Sequence, residues 1–371
     1  MTTTHNLLVR LTVLSFAGLL LIANIKASAQ DAAAQTKNEI ERLQQSLKAQ
    51  PIQSPDLADL AKGIEQHLKD ADLARSAGRL YLSLENLGQA EDYFHAVRTI
   101  EANADAIKDN LPAFEAEWGK ANLEYAALEK QAHQRNWNRF PAAVRALSES
   151  AQGRTIPLLE GGRGFATATK PQDGLAYMGE AKGEAAYANF LYGLSITRKG
   201  SPFPLRSVLP ELEALQEKTN AAFQPPRSID MHPRFINLNA TLKFARELDG
   251  SQSYAGALYQ YLEATRHYGM LDPTVPDEAK QSALRTKVAD ELKKVSASKR
   301  DDSIAQIFLE KANGWLNKPE GATPVPDEWR SIRVIVEQVL PAYYAVLKPA
   351  APLQQRAART ATLTLVRWPY T

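Results

Sequence analysis

Apolar residues recur at helical spacing through most of the chain, and this periodicity limits the fold more than any other feature of the sequence. In the clearest case, steps of four and three residues alternate through Phe114, Trp118, Ala121, Tyr125, Leu128 and Ala132. That spacing is typical of a helix that packs lengthwise on a neighbour. Similar patterns predict helices over residues 31–50, 54–68, 73–134, 174–197, 235–248, 251–268, 276–297 and 301–316. We therefore predict an all-α protein of antiparallel helical hairpins, either solenoid-like or divided into two helical subdomains.

Glycine and proline divide these helices in the prediction. Gly88 interrupts the apolar positions that begin at Leu80, and residues 152–173 hold four glycines and two prolines. The second stretch predicts an irregular loop between an N-terminal helical region, 30–151, and a C-terminal helical region, 174–348. A further helix from Asp327 must end or kink at Pro341.

The helix that begins at Gly174 is rich in glycine and alanine. A glycine inside a helix costs up to about 1 kcal/mol relative to alanine. Its compensation is the close approach of another backbone, so we expect this helix to lie at the centre of the fold.

Residues 1–29 have the order of a secretory signal peptide. A basic Arg10 precedes an apolar run from Leu11 to Ile25, and the small residues Ala27 and Ala29 mark a cleavage site. The run is shorter than the roughly 20 residues of a spanning helix, although a retained anchor is the alternative. We expect cleavage and a periplasmic or secreted mature protein with no stable membrane span.

The other end of the chain, residues 349–371, forms a basic tail. Within it, apolar and polar residues alternate from Thr360 to Trp368, which is typical of a strand. Such a strand can add to the sheet edge of a partner or fold back on its own body.

Charge and cysteine content exclude several functions. The chain has 44 basic and 42 acidic residues, and residues 1–29 carry Arg10 and Lys26 without an acidic residue, which leaves 42 of each in the mature chain. A neutral chain gives no general reason to expect nucleic-acid binding. The absence of cysteine excludes disulfides, thiolate metal sites, iron–sulfur clusters and covalent haem.

Two short segments resemble the helical hairpins of tetratricopeptide-type α-solenoid proteins. The first runs through Leu87-Gly88, Ala90 and Tyr93, and the second through Tyr254, Ala257-Leu258 and Tyr261. The steady 34-residue period and the full tryptophan-to-proline signature of that family are missing. The resemblance implies antiparallel helix pairs.

Two glutamate–histidine pairs could in principle meet as a four-ligand metal site. Glu91 and His95 lie four residues apart, and so do Glu263 and His267. Neither the Glu-x-x-His motif of di-iron bundles nor the His-Glu-x-x-His motif of zincins is present, and pairs on a helix surface are the simpler interpretation. The sequence therefore predicts no metal and no cofactor.

Candidate binding residues lie on the irregular loops, where binding groups concentrate in proteins with a rigid scaffold. They are Arg163, Arg206, Arg227, His232 and Arg234, together with Trp368 in the tail. Each arginine could equally cap or pair locally. Four aromatic residues near the glycine-rich helix could line a ligand groove or belong to the core: Tyr177, Tyr187, Phe190 and Tyr192.

The sequence has no Gly-x-Ser-x-Gly motif, no phosphate-binding loop and no cysteine nucleophile. We therefore expect an exported, non-catalytic helical scaffold or binding protein of the cell envelope that acts on a protein partner. The alternatives are an exported helical enzyme or a small-ligand or anion carrier that uses the loop arginines, and a metal-binding helical bundle. A concave pocket would favour the enzyme or carrier, and a wide shallow groove would favour the scaffold.

Overall fold

The computed structural model describes residues 31–132, 134–225, 229–318 and 322–348. These residues are mostly helical and form no sheet, which confirms the predicted all-α class. The signal-like residues 1–29 and the strand-like residues 360–368 lie outside the described ranges. The helices are α1 (31–49), α2 (Ala58–Ser76), α3 (Leu80–Ile107), α4 (Leu111–Ala132), α5 (Ala142–Phe165), α6 (Leu175–Gly193), α7 (Leu209–Ala222), α8 (His232–Gly250), α9 (Tyr254–Gly269), α10 (Glu278–Ser296), α11 (Ser303–Leu316), α12 (Pro326–Val334) and α13 (Leu340–Val346).

Two predicted interruptions are helical in the structure. Helix α3 passes through Gly88, and helix α5 continues through most of the predicted loop 152–173 as far as Phe165. The glycines admit neighbours here rather than end helices. A Cβ at Gly88 would lie 2.7 Å from Cε1 of Tyr187, and a Cβ at Gly153 would lie 2.6 Å from a methyl group of Leu248. Of the two hairpin-like segments, only the second, α8 and α9, has a turn between two helices.

The glycine-rich helix α6 occupies the central position that its composition predicts. It packs against both α3 and α5. A Cβ at Gly179 would lie 2.4 Å from Cα of Ala96, and a Cβ at Gly183 would lie 2.7 Å from Cα of Asp92. Only glycine permits this approach of two helix backbones, so the composition of α6 sets its distance from α3.

The expected ending or kink at Pro341 takes the form of a π-helical turn. Ile335–Val339 is π-helical and links α12 to α13. Proline lacks the amide N–H that would continue the regular ladder, and a π turn shifts the hydrogen bonding so that the helix can go on.

Both predicted helical regions contribute to one core. The largest cluster of buried apolar residues includes Leu84 and Val144 from the region 30–151, and Leu191, Leu258 and Phe308 from the region 174–348. No helix within the described ranges has an apolar stretch long enough to cross a membrane.

Candidate functional site

A central cavity of about 620 Å³ opens between α2, α3, α5, α6, α9 and α11. Each helix contributes a stripe of residues at helical spacing, because positions three and four apart share a face. On α3 the stripe is Leu82, Glu85, Asn86, Gln89 and Asp92; on α5 it is Leu147, Ser150 and Arg154; on α11 it is Lys311, Gly314 and Trp315. Glu184 and Tyr187 enter from α6, and Tyr259 and Arg266 enter from α9.

The wall of the central cavity carries many charges of both signs. The basic residues are Arg79, Arg154, Arg266, Lys311 and Lys318, and the acidic residues are Asp70, Glu85, Asp92, Glu184 and Glu328. Charged side chains are rarely buried unless they are paired, so the partners of each group decide what the cavity can bind.

One ion-pair network lies where α3, α9 and α11 meet. Nζ of Lys311 lies 2.7 Å from Oε1 of Glu85 and 2.9 Å from Oε1 of Glu263. Nε of Arg266 donates to the other oxygen of Glu263 at 2.7 Å, and the Tyr259 hydroxyl donates to Oε1 of Glu85 at 2.7 Å. Burial alone raises the pKa of Glu263, but the charges of Arg266 and Lys311 hold this pKa well below its ordinary value. This network is therefore balanced, with two cations and two carboxylates.

A second network joins α3, α5 and α6 at Arg154. Nε of Arg154 lies 2.9 Å from Oε1 of Glu184, whose side chain is only 2% exposed. Burial raises the pKa of Glu184 to about 7, against the opposing charge of Arg154. Burial and the charge of Glu184 also raise the pKa of Asp92 well above its ordinary value. Both shifts favour the protonated carboxyl groups, so the pair neutralises Arg154 less than two ionised carboxylates would.

Several polar atoms at the central cavity are buried without a hydrogen-bond partner. They are Nε of Arg79, Oε2 of Glu85, Oδ1 of Asp92 and Oγ of Ser150. Each such group costs about 1–3 kcal/mol when it is left unsatisfied. Because the residues that carry these atoms all line one cavity, the atoms favour a site that water, an ion or a bound molecule completes.

The structure places the loop residues that the sequence singled out away from this cavity. Arg163 is on helix α5 rather than a loop and pairs with Glu115, and Arg206 pairs with Glu211. His232 and Arg234 also lie in the first turn of helix α8 rather than on a loop, and Nη1 of Arg234 donates to the carbonyl oxygen of Met270 at 2.6 Å. His232 packs near the ring of Phe223.

None of these four residues lines the central cavity. Arg227 and Trp368 lie outside the described residues. Ligand binding by these six residues stays a prediction.

The four aromatic residues near α6 have different environments. Tyr187 lines the central cavity, and its hydroxyl donates to the carbonyl oxygen of Leu84 at 2.7 Å. Tyr192 and Phe190 pack on the largest core cluster. Tyr177 stacks on Phe165. One residue of the predicted groove therefore lines the cavity, and two belong to the core.

The two glutamate–histidine pairs do not meet. Nε2 of His95 lies 3.4 Å from Glu91, whose other oxygen accepts from Arg42 at 3.1 Å, and Glu263 is occupied by its own cations. In the part of the chain that the structure describes, no three histidine, aspartate or glutamate side chains lie close enough to hold a metal ion. The four-ligand site considered from the sequence is not formed.

Sequence reasoning did not single out the residues of the central cavity, apart from Tyr187 and the position of α6. The signal available is the polar stripe of α3, which lies opposite an apolar stripe that includes Leu84 and Leu87. Polar stripes on helices normally face solvent. Only the packing of α2, α9 and α11 around this stripe shows that it faces a cavity.

Comparison of the chain with protein-family models, with curated proteins and with solved structures finds no match.

Proposed function

We propose that this chain is an exported, non-catalytic binding protein whose central cavity holds a small polar ligand. The observation that carries the proposal is the set of buried polar atoms without a partner on residues that line one cavity of about 620 Å³. A volume of that size is typical of small-molecule sites. The concavity favours a small ligand over the broad surface that a protein scaffold needs.

The cavity differs from the site that the sequence predicts for a ligand carrier. The predicted carrier uses loop arginines, whereas the proposed one uses arginines on or beside rigid helices, Arg154 on α5 and Arg79 just before α3. Side chains on packed helices hold their positions more accurately than side chains on loops, which suits a preorganised site.

Native mass spectrometry tests the proposal. The mature protein is incubated with a small-molecule extract of the cell envelope, beside the variants Asn86→Trp and Asn86→Ala. Asn86 is half-buried on the cavity wall, and no hydrogen bond within the described residues depends on its side chain. The indole of the first variant fills the cavity, and the second variant is the matched control.

We expect a small-molecule adduct on the mature protein and on Asn86→Ala, and none on Asn86→Trp. An adduct that all three proteins carry equally would contradict the proposal, as would no adduct on any of them. Recovery of the ligand unchanged supports binding. Conversion of the ligand would instead favour an enzyme, for which the raised pKa of Glu184 is the one supporting observation.

Export is tested separately by the mass of the secreted chain. The order of regions in residues 1–29 predicts cleavage after Ala29, so that the mature protein begins at Gln30. A chain that retains residues 1–29 and sediments with membranes would contradict this part of the proposal.

A further inference from the structure

We propose that the ligand is an anion and that the guanidinium group of Arg154 binds its carboxylate or phosphate. This inference rests on the proposed function, because it assigns the ligand class of the same central cavity. The choice of Arg154 depends on which basic side chains of the cavity already pair with carboxylates of the protein.

Three of the five basic residues have strong partners within the fold. Lys311 and Arg266 are held by Glu85 and Glu263, and Nζ of Lys318 lies 2.7 Å from Glu328. Arg266 also pairs through Nε alone, but the pKa of its partner Glu263 lies well below the ordinary value, so this carboxylate is ionised and balances the charge of Arg266. The two remaining residues are Arg79 and Arg154.

Arg154 presents its unused N–H groups to the cavity. Its side chain is 40% exposed although its partner Glu184 is 2% exposed, because the guanidinium faces the open space of the cavity. The contact with Glu184 is made through Nε, and neither Nη atom has a hydrogen-bond acceptor among the described residues. Two parallel Nη groups match the oxygens of a carboxylate or a phosphate.

The charge around Arg154 also favours an anion. The groups that face Glu184 are Asp92 from α3, Arg154 from α5, and Glu180 and Tyr187 from α6. Since burial favours the protonated form of the Asp92–Glu184 pair, the pair does not fully cancel the charge of Arg154. A bound anion would neutralise the remaining positive charge of Arg154.

Arg79 adds a second positive charge to the wall. Its side chain makes no hydrogen bond or ion pair within the described residues. Its charge acts on Glu310, whose pKa burial raises to about 7. Two cavity arginines thus lie near carboxyl groups that are partly protonated at neutral pH.

Isothermal titration calorimetry tests the ligand class with three probes: inorganic phosphate, succinate and uncharged succinamide. We expect phosphate or succinate to bind and succinamide not to bind. The anion that binds more tightly shows whether the ligand carries a phosphate or a carboxylate. Arg154→Gln and Arg154→Lys should weaken anion binding at least about tenfold, because glutamine lacks the charge and lysine lacks the planar fork. The matched control is Arg163→Gln, at an arginine of the same helix that pairs with Glu115 away from the cavity.

Glu184→Gln is a second variant, and its expected effect is tighter binding rather than loss of binding. Among the described residues, it removes the one carboxylate that forms an ion pair with Arg154, and it keeps a side chain of the same shape. We expect succinate to bind wild type less tightly as pH rises through about 7, since ionised Glu184 competes for Arg154. Glu184→Gln should bind succinate more tightly at pH 8 and show a smaller change with pH. Succinate is used because phosphate changes its own charge in this range.

The outcomes separate the two proposals. If the extract yields an adduct that Asn86→Trp abolishes but neither anion binds, the cavity is a ligand site and the anion inference is wrong. If anions bind and Arg154→Gln, Arg154→Lys and Glu184→Gln all bind them as wild type does, Arg154 is not the anion site. If the extract yields no adduct and neither anion binds, the proposed function itself is contradicted.

Discussion

Lys311 shows how a buried charge in this protein depends on residues far away in sequence. Its ammonium group is 14% exposed and lies between Glu85, on α3, and Glu263, on α9. The two carboxylates would remain in the interior if the ammonium group were removed. Breaking a buried ion pair from one side is costly for that reason, whereas an exposed pair contributes little.

We expect Lys311→Met to lower the free energy of unfolding by about 3 kcal/mol, since it leaves two buried carboxylates without their shared cation. The control is Lys120→Met. Lys120 is 73% exposed and lies 2.6 Å from Glu117, so its loss should change stability by less than about 1 kcal/mol. Denaturant unfolding measures both. Equal effects of the two substitutions would show that the buried network contributes no more than a surface pair.

Glu310 is a buried acid whose ionisation opposes folding. It accepts the backbone N–H of Leu82 at 3.0 Å and the side chain of Gln306 at 2.7 Å. Burial outweighs these hydrogen bonds and raises its pKa from 4.5 to about 7. An acid whose pKa is higher in the folded state stabilises the fold at low pH, and that stability is lost as pH rises through about 7.

Glu310→Gln should therefore flatten the dependence of stability on pH. Wild type loses up to about 3 kcal/mol through this group between about pH 5 and pH 8, and the variant lacks that loss. Denaturant unfolding across this pH range measures the difference. Glu184, whose pKa is also raised to about 7, contributes a slope of the same sign, so some dependence should remain. Parallel curves for wild type and variant would contradict the assignment.

At the scale of the element, glycines act in two ways that the local sequence does not distinguish. In α6 they bring a neighbouring backbone close, as its composition predicts. In α3 and α5, glycines that predict breaks instead lie inside continuous helices. The local pattern is similar in all three helices, and the difference is that Gly88 of α3 meets the side chain of Tyr187 and Gly153 of α5 meets the side chain of Leu248.

Gly179→Ala is expected to destabilise the protein by about 3 kcal/mol, because its Cβ would overlap the backbone of Ala96 and push α3 away from α6. The matched control is Gly119→Ala on α4, where no atom lies within 4 Å of the new Cβ. There the better helix propensity of alanine should raise stability by up to about 1 kcal/mol. Thermal or denaturant unfolding distinguishes the two. A neutral Gly179→Ala would mean that α3 and α6 separate easily.

Capping also connects distant elements. The amide of Ala142, in the first turn of α5, donates to Oδ2 of Asp301 at 2.6 Å, and the amide of Ala143 donates to Oγ of Ser303 at 2.9 Å. Free amides at a helix start need acceptors, and local serine or aspartate residues usually supply them. Helix α5 starts after Pro141 and is capped instead from the start of α11.

At the scale of the whole molecule, the regions 30–151 and 174–348 both contribute to the largest cluster of buried apolar residues. Two smaller clusters lie beside it, and the buried residues of one of them all belong to the first region. The central cavity has the same origin, since its walls come from α2, α3 and α5 on one side and from α9 and α11 on the other. A ligand that binds in the cavity should therefore stabilise the folded chain.

The shared core predicts one cooperative unfolding transition for the mature protein. Differential scanning calorimetry should show a single peak with equal calorimetric and van't Hoff enthalpies. Two separate transitions would support the two-subdomain arrangement that the sequence leaves open. A ligand bound in the cavity should raise the midpoint of the single transition.

The sequence by itself determined the all-α class, the helices of strong apolar periodicity and the central place of α6, because these depend on local spacing and on residue size. It did not determine that α3 and α5 run on through their glycines, or that Glu85 and Lys311 meet. The central cavity likewise arises only when stripes of polar residues from six helices face one another. A polar stripe has the same appearance in sequence whether it faces solvent or a cavity, and only the tertiary structure decides which groups become buried and which remain unpaired.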